Sequence, residues 1–432
     1  MFSRWWAALA AACLSIATPA LCAESAPNPI PVGTVITPQN WKQYRQYMPE
    51  GMQMLFTGNY FWKVPADFRI EVGSQNNYPV PRVYRDNTEK YSSRVRVIDT
   101  ARGGHALEGY VAGLPFPNPS DPLKGFKILA DLWYRPMPYL YCGNEDHEYL
   151  VNSGGQTSGF RVEQVFRRLD HISHAGMPIT DPQAEGVDYS EYAMFTEPEQ
   201  YKYTQILTLF YDNPQRSEDD FLYVPQLRRA LRQTANQRCA PMTNGDFTPD
   251  DLEGFNGGIL RFQAEYLRDQ QILALINADP RLYGDPANYY PIYLPKPIVG
   301  KWEVRDNYVI DVRRIPSQRA GYCYGKQIVY VDKVSYNTSW KDLYDPAMKL
   351  TKFQSSQKIA TEVPGEGKQF FAGNAIETMW DISKNHLSFF VTAGPDGKGG
   401  LVANEACRNV DGVNYDDVKR YSTVGGLTQV MR

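Results

Sequence analysis

The run KWEVRDNYVIDVR, residues 301 to 313, decides the fold. Trp302, Val304, Tyr308, Ile310 and Val312 fall on one parity, and Lys301, Glu303, Arg305, Asn307, Asp311 and Arg313 on the other; only Asp306 and Val309 break the alternation. Successive side chains of a strand point to opposite faces, so this period of two predicts a strand with one apolar face and one wet face. Leu260, Phe262, Ala264 and Tyr266 against Arg261, Gln263 and Glu265 repeat the pattern. Further strands are expected over residues 160–171, 203–211, 270–277, 327–333, 348–353, 377–382 and 387–392. Short polar turns between such runs suit an antiparallel meander, because parallel strands need long crossovers.

Before about residue 150 the texture is helical. Thr37-Pro38 reads as a helix start, with Trp41, Tyr44 and Met48 following at helical spacing. Residues 68–72 alternate as a short strand and residues 83–91 read as a short helix. Residues 113–122 hold four prolines and form a rigid loop. An amphipathic helix follows through Leu123, Phe126, Leu129, Ala130 and Trp133, and Pro136 and Pro138 stop it. No linker or internal repeat divides the chain, so a single domain is expected over 37–432, with helical elements mainly in 37–140 and sheet mainly in 150–432. The predicted class is mainly β (α+β): one large curved antiparallel sheet, a half-open barrel, with N-terminal helices as a lid on its concave side.

Residues 1–23 carry Arg4, an apolar run and a small-residue end at Ala23, the pattern of a cleaved signal peptide. A flexible leader is expected over 24–36, and the rest is expected in the periplasm. No lipid anchor is expected: Cys13 follows Ala10-Ala11-Ala12 but only a short apolar run precedes it, and Cys22 follows Leu21 rather than a small residue. Cys142, Cys239, Cys323 and Cys407 remain after cleavage, an even number in an oxidising compartment. Three pairings are open, and Cys142 with Cys239 and Cys323 with Cys407 is the one favoured. A net charge of -3 gives no electrostatic footprint for nucleic acid.

Motifs for chemistry are sparse. The chain lacks a Gly-x-Ser-x-Gly elbow, a phosphate loop, a dinucleotide fingerprint and a His-Glu-x-x-His pair, so no enzyme and no cofactor is expected. Asp170-His171-Ile172-Ser173-His174, with the acidic run 145–148, is the best metal candidate. A strand there would point the two histidines to opposite faces, so no metal is expected. The adjacent pairs Asp219-Asp220 and Asp250-Asp251 suit solvation better than acid and base opposed across a substrate. Arg228, Arg229 and Arg232, followed after the Asn244-Gly245 turn by Asp246, Asp250 and Asp251, suggest a polar rim at a cavity mouth, or else surface ion pairs. Residues 227–233 read locally as helix.

Leu222-Tyr223-Val224-Pro225, the Leu227-Arg228-Arg229 run and residues 245–252, with residues 82–88 and 109–117, resemble a proteobacterial family of periplasmic outer membrane lipoprotein-sorting proteins, a domain of unknown function. More distantly the chain is similar to the periplasmic carriers that move lipoproteins between membranes. The resemblance runs from about Thr37 to the C-terminus. It implies a half-barrel with a lid, a strand at 227–233, and as partners an inner-membrane exporter of the resistance-nodulation-division type and an outer-membrane protein.

Aromatic residues make up 13% of the chain, with 30 tyrosines, and a partly open sheet facing helices leaves an apolar concavity. The expected function is therefore a carrier of a lipid, a lipoprotein acyl group or other hydrophobic cargo between exporter and outer membrane. Its expected lining is Phe262, Tyr266, Trp302, Tyr308 and Ile310, with Leu129 and Trp133 on the lid. The rival readings are a structural adaptor of an envelope complex and a periplasmic hydrolase.

Overall fold

The computed structural model describes residues 29–213, 216–233, 238–363, 367–395 and 399–429. The expected signal peptide and the first part of the leader lie outside the described residues. The described part of the leader is fixed: β1 (Val35–Ile36) pairs with β2 (Ile70–Glu71), Gly33 N–H donates to Val72 O at 2.8 Å, and Ile30 is buried. A second short pair joins β3 (Arg96–Asp99) to β4 (His105–Glu108).

All remaining strands form one antiparallel, 14-stranded sheet. Its first wing is a meander of β5 (Leu140–Val151), β6 (Thr157–Arg168), β7 (Val187–Glu197), β8 (Gln205–Tyr211), β9 (Asp219–Val224) and β10 (Arg229–Arg232). The second wing is β11 (Phe262–Ala274), β12 (Glu303–Arg314), β13 (Lys326–Asp332), β14 (Thr338–Tyr344), β15 (Leu350–Val363), β16 (Gly367–Asp381) and β17 (His386–Val391). Strand β17 pairs with β5, so the wings join at a central seam and leave β10 and β11 as the two edges. The sheet is curved and does not close. Strand β18 (Val402–Ala403) adds a short pair to β5. The expected strands at 260–266 and 270–277 are one strand, β11, bulged between Tyr266 and Arg268. Residues 227–233, helical by local pattern, contain strand β10.

Cross-strand register assigns the two faces. Tyr266, Ile310, Val329, Lys341, Gln354, Met379 and Ser388 stand opposite one another in turn, forming one row across the second wing. This is the inner face. The outer face carries Trp340, Phe353, Trp380 and Phe389, and residues 30–72 and 275–302 cover it. Trp340 Nε1 donates to Leu273 O at 2.9 Å and Trp380 Nε1 to Ile292 O at 3.2 Å, so both buried indoles are satisfied. On the first wing the C-terminal segment covers the outer face through Tyr415, Val418, Tyr421 and Leu427.

The helices do not form a one-sided lid. α1 (Glu50–Met54) lies on the outer face, where a Cβ on Gly51 would stand 2.3 Å from Phe353 Cβ. α2 (Arg82–Tyr91) sends Tyr84 into the inner-face core. α3 (Lys124–Trp133) packs on the inner face across β11, so closely that a Cβ on Gly125 would stand 2.4 Å from Ala264 O. α4 (Val418–Tyr421) belongs to the C-terminal cover. No described helix is long and apolar enough to cross a membrane.

The disulfides are Cys142–Cys407 and Cys239–Cys323, which corrects the favoured pairing. Sequence spacing had no means of showing that the C-terminal segment folds back over β5, or that residue 239 meets the β12–β13 connection.

Candidate ligand-binding site

Residues 238–261 leave the first wing, cross the inner face and enter β11. Cys239–Cys323 anchors the start of this crossing segment. Pro249 opens a turn over Pro249–Gly254, capped by Thr248, whose N–H and Oγ1 both donate to Asp251 Oδ2 at 2.9 and 2.8 Å. That turn lies against β14, β15 and β16.

Charge fixes the segment in place. Asp250 accepts from Arg238 Nε at 2.5 Å, Arg314 Nη2 at 2.9 Å and the Tyr322 hydroxyl at 2.7 Å. Burial pushes its carboxyl up, but Arg238 and Arg314 outweigh burial and hold it below the ordinary range. Asp251 takes Lys341 Nζ at 2.7 Å and the Tyr324 hydroxyl at 2.7 Å. Glu253 takes Arg135 Nη2 at 2.7 Å and the Tyr141 hydroxyl.

The expected polar rim is thus corrected. Asp246, Asp250 and Asp251 are buried beneath the segment, and Ser388 Oγ donates to Asp246 Oδ2 at 2.9 Å. Arg228 and Arg229 are exposed, while Arg232 pairs with Asp219. Asp250 meets Arg238 and Arg314, and Asp251 meets Lys341, none of which belongs to the basic run.

Where the segment passes over the first wing it leaves an apolar cavity of about 410 Å³. Val162, Phe195, Ile206 and Leu222 of the sheet face Met242 and Leu252 of the segment across it. Among its polar wall residues is Glu191, which accepts from Asn256 Nδ2 at 2.8 Å through Oε2. Glu191 Oε1 is buried with no hydrogen-bond partner. Burial pushes this carboxyl up to about 8, partly offset by the Asn256 bond.

A smaller polar cleft of about 180 Å³ lies near α3. Its His171 donates Nδ1–H to Val111 O at 2.7 Å and sets Nε2 2.9 Å from the Asp212 carboxylate. Burial lowers the imidazolium's affinity for its proton, yet Asp212 and Asp188 reverse this and raise it to about 9. Asp188 accepts from Arg168 Nη1 at 2.8 Å, and burial lifts it to about 6. Asp170, His171 and Asp212 offer ligand atoms within 4.8 Å of one another. His174 instead faces Glu405 at 3.1 Å, so the two histidines do not converge.

The expected lining residues take other places. Phe262, Ile310 and Leu129 pack together in the inner-face core, and Tyr266 and Tyr308 lie beside it under Lys124, whose Nζ stands 3.5 and 5.7 Å from their ring centres. Trp133 walls the polar cleft, and Trp302 belongs to the outer-face core. None of them borders the apolar cavity among its described wall residues. The signal for the residues that do border it was the inward parity of the strands expected at 160–171 and 203–211.

The family profile described as "Protein of unknown function (DUF1329)" matches residues 35–408, which span both wings, the crossing segment and both disulfides. The chain belongs to the DUF1329 family. No curated protein matches this DUF1329 chain. Among solved structures it is similar to a domain from Vibrio parahaemolyticus provisionally described as an outer membrane lipoprotein-sorting protein, at 16% identity and a TM-score of 0.45, covering 66% of this chain and 96% of that one. A DUF1329 family protein from Desulfovibrio piger ATCC 29098 gives 11% identity and 0.45, covering 66% and 95%. A LolA superfamily protein from Nitrosomonas europaea gives 12% identity and 0.35, covering 64% and 92%.

Proposed function

We propose that this DUF1329 protein is a periplasmic binding protein that holds a hydrophobic molecule in the cavity between β5–β9 and the crossing segment. It receives its cargo from an inner-membrane exporter and passes it toward the outer membrane. The cavity carries the reading: its 410 Å³ lies in the lower part of the range of about 300 to 1,000 Å³ that small-molecule sites occupy, and its walls are mainly apolar. That volume suits one compact molecule better than a multiply acylated lipoprotein anchor. Burial of apolar surface, at about 25 cal/mol per Å², supplies the affinity. Two disulfides suit an oxidising compartment.

The test is fluorescence titration with N-phenyl-1-naphthylamine, comparing wild type with Ala193→Phe, which fills the cavity from β7. The variant is expected to bind about tenfold more weakly while its thermal unfolding midpoint holds. Equal probe affinity in a folded variant would move the binding site elsewhere and end this reading.

A further inference from the structure

The cavity's walls are mainly apolar, but its ionisable groups are one-sided. Glu148, Glu191, Asp220 and Glu377 all border it, against a single described cation, Arg238. Arg238 is fully engaged: Nε reaches Asp250 at 2.5 Å, Nη1 reaches Asp220 at 2.9 Å and Nη2 reaches Asn256 O at 2.9 Å. Residues 234–237, which precede it, are Thr, Ala, Asn and Gln and carry no charge. An anionic head group entering here would lose its hydration and meet carboxylates rather than a free cation, a combination that disfavours it strongly.

The carboxylates differ among themselves. Glu377 accepts from Ser356 Oγ at 2.5 Å and lies 3.8 Å from Lys358 Nζ, and Asp220 is held by Arg238 and by Thr208 Oγ1 at 2.8 Å. Glu191 is 8% exposed, and its second oxygen has no partner. Buried polar atoms are ordinarily paired, and Glu191, a wall residue with one unpaired oxygen, can meet a ligand atom by turning that oxygen into the cavity. A carboxyl lifted to about 8 by burial is mostly protonated at neutral pH, so it can both give and accept one hydrogen bond. A hydroxyl group has the same two capacities.

Building on the cavity reading above, we infer that the site selects an uncharged, hydroxyl-bearing apolar molecule, anchored through Glu191, and rejects anionic amphiphiles such as fatty-acid carboxylates and phospholipid phosphates. Sites built to bond a hydroxyl discriminate sharply against analogues that lack it, because their own polar atoms are then left unpaired.

The experiment displaces bound N-phenyl-1-naphthylamine from the whole mature protein at pH 7 with decanol, decanoate and decylamine, three ligands with the same tail. Decanol is expected to displace the probe at concentrations at least about tenfold lower than decanoate. Glu191→Leu should erase most of that preference and Glu191→Gln, which keeps a donor and an acceptor, should retain it. Decanoate matching decanol, or decylamine surpassing it, overturns the inference while leaving the cavity reading intact. An unchanged preference in folded Glu191→Leu also overturns it. Failure of the probe to bind wild type removes the cavity reading itself, and this inference with it.

Discussion

Both wings of the sheet face the same crossing segment, with opposite results. On the second wing, β12 to β16 present Arg314, Lys341 and Gln354, and the segment answers with Asp250, Asp251 and the Asp251 carbonyl, at distances of 2.7 to 2.9 Å. On the first wing, Asp220 and Glu191 hold the segment through Arg238 and Asn256, and apart from those bonds Val162, Phe195, Ile206 and Leu222 of β6 to β9 face it across the cavity. Directional charge pairs demand contact, whereas apolar surfaces can be separated by a guest of matching polarity. The charged half fixes where the segment lies, and that position keeps the apolar half open.

Asp250→Ala tests the charged half and carries the largest expected effect. It leaves Arg238 and Arg314 buried without their shared partner, which should cost about 3 to 5 kcal/mol in urea unfolding. Leu222→Ala on the cavity wall should cost about 1 kcal/mol or less, because that side chain already borders open space. A reversal of that order would break the contrast between the wings. Replacing both Cys239 and Cys323 by alanine should cost about 2 to 4 kcal/mol, and limited proteolysis should then cut first in the crossing segment.

A pH-dependent effect concerns the polar cleft. His171 is raised in the folded state from an ordinary value near 6.5 to about 9, so its stabilising contribution is complete below about pH 6.5 and fades as pH rises through 9. The stability gap between wild type and His171→Gln should be about 1 to 3 kcal/mol at pH 6 and close above pH 9. A gap that widened with pH would remove the His171–Asp212 ion pair from this account.

Much of the frame was legible in the sequence. The alternation at 301–313 and the spacing from Leu123 to Trp133 mark β12 and α3, because a half-wet strand and an amphipathic helix write their periods openly. What escaped was mostly buried polarity. Asp250 and Asp251 read as solvated because adjacent acids beside a polar turn usually are, and only a chain crossing the sheet makes them interior. The acidic stretch Gly143 to Glu148 hid strand β5 for the same reason. Trp302 and Tyr308 share a parity in the 301–313 pattern yet pack in different cores: Val304, inside β12, joins Trp302 and Val309 in the outer-face core, while Ile310 and Val312 join Tyr308 on the inner face, so the face changes along the strand between Val304 and Tyr308. The cavity lining was assigned to the wing with the clearer alternation, and clear alternation marks the wing that packs tightest against α3.

The central seam bears on how the chain reaches this state. Within each wing consecutive strands are neighbours, so each can zip up hairpin by hairpin from contacts close in sequence. The seam cannot, because Leu387 of β17 pairs with Val151 of β5, with the whole of both meanders between them. Until the last strand of the second wing arrives, β5 is an unprotected edge beside a free Cys142, whose partner Cys407 emerges later still. The native topology therefore assigns the middle of the sheet to the end of folding, and the interval before closure is when this chain is most exposed to pairing with its neighbours.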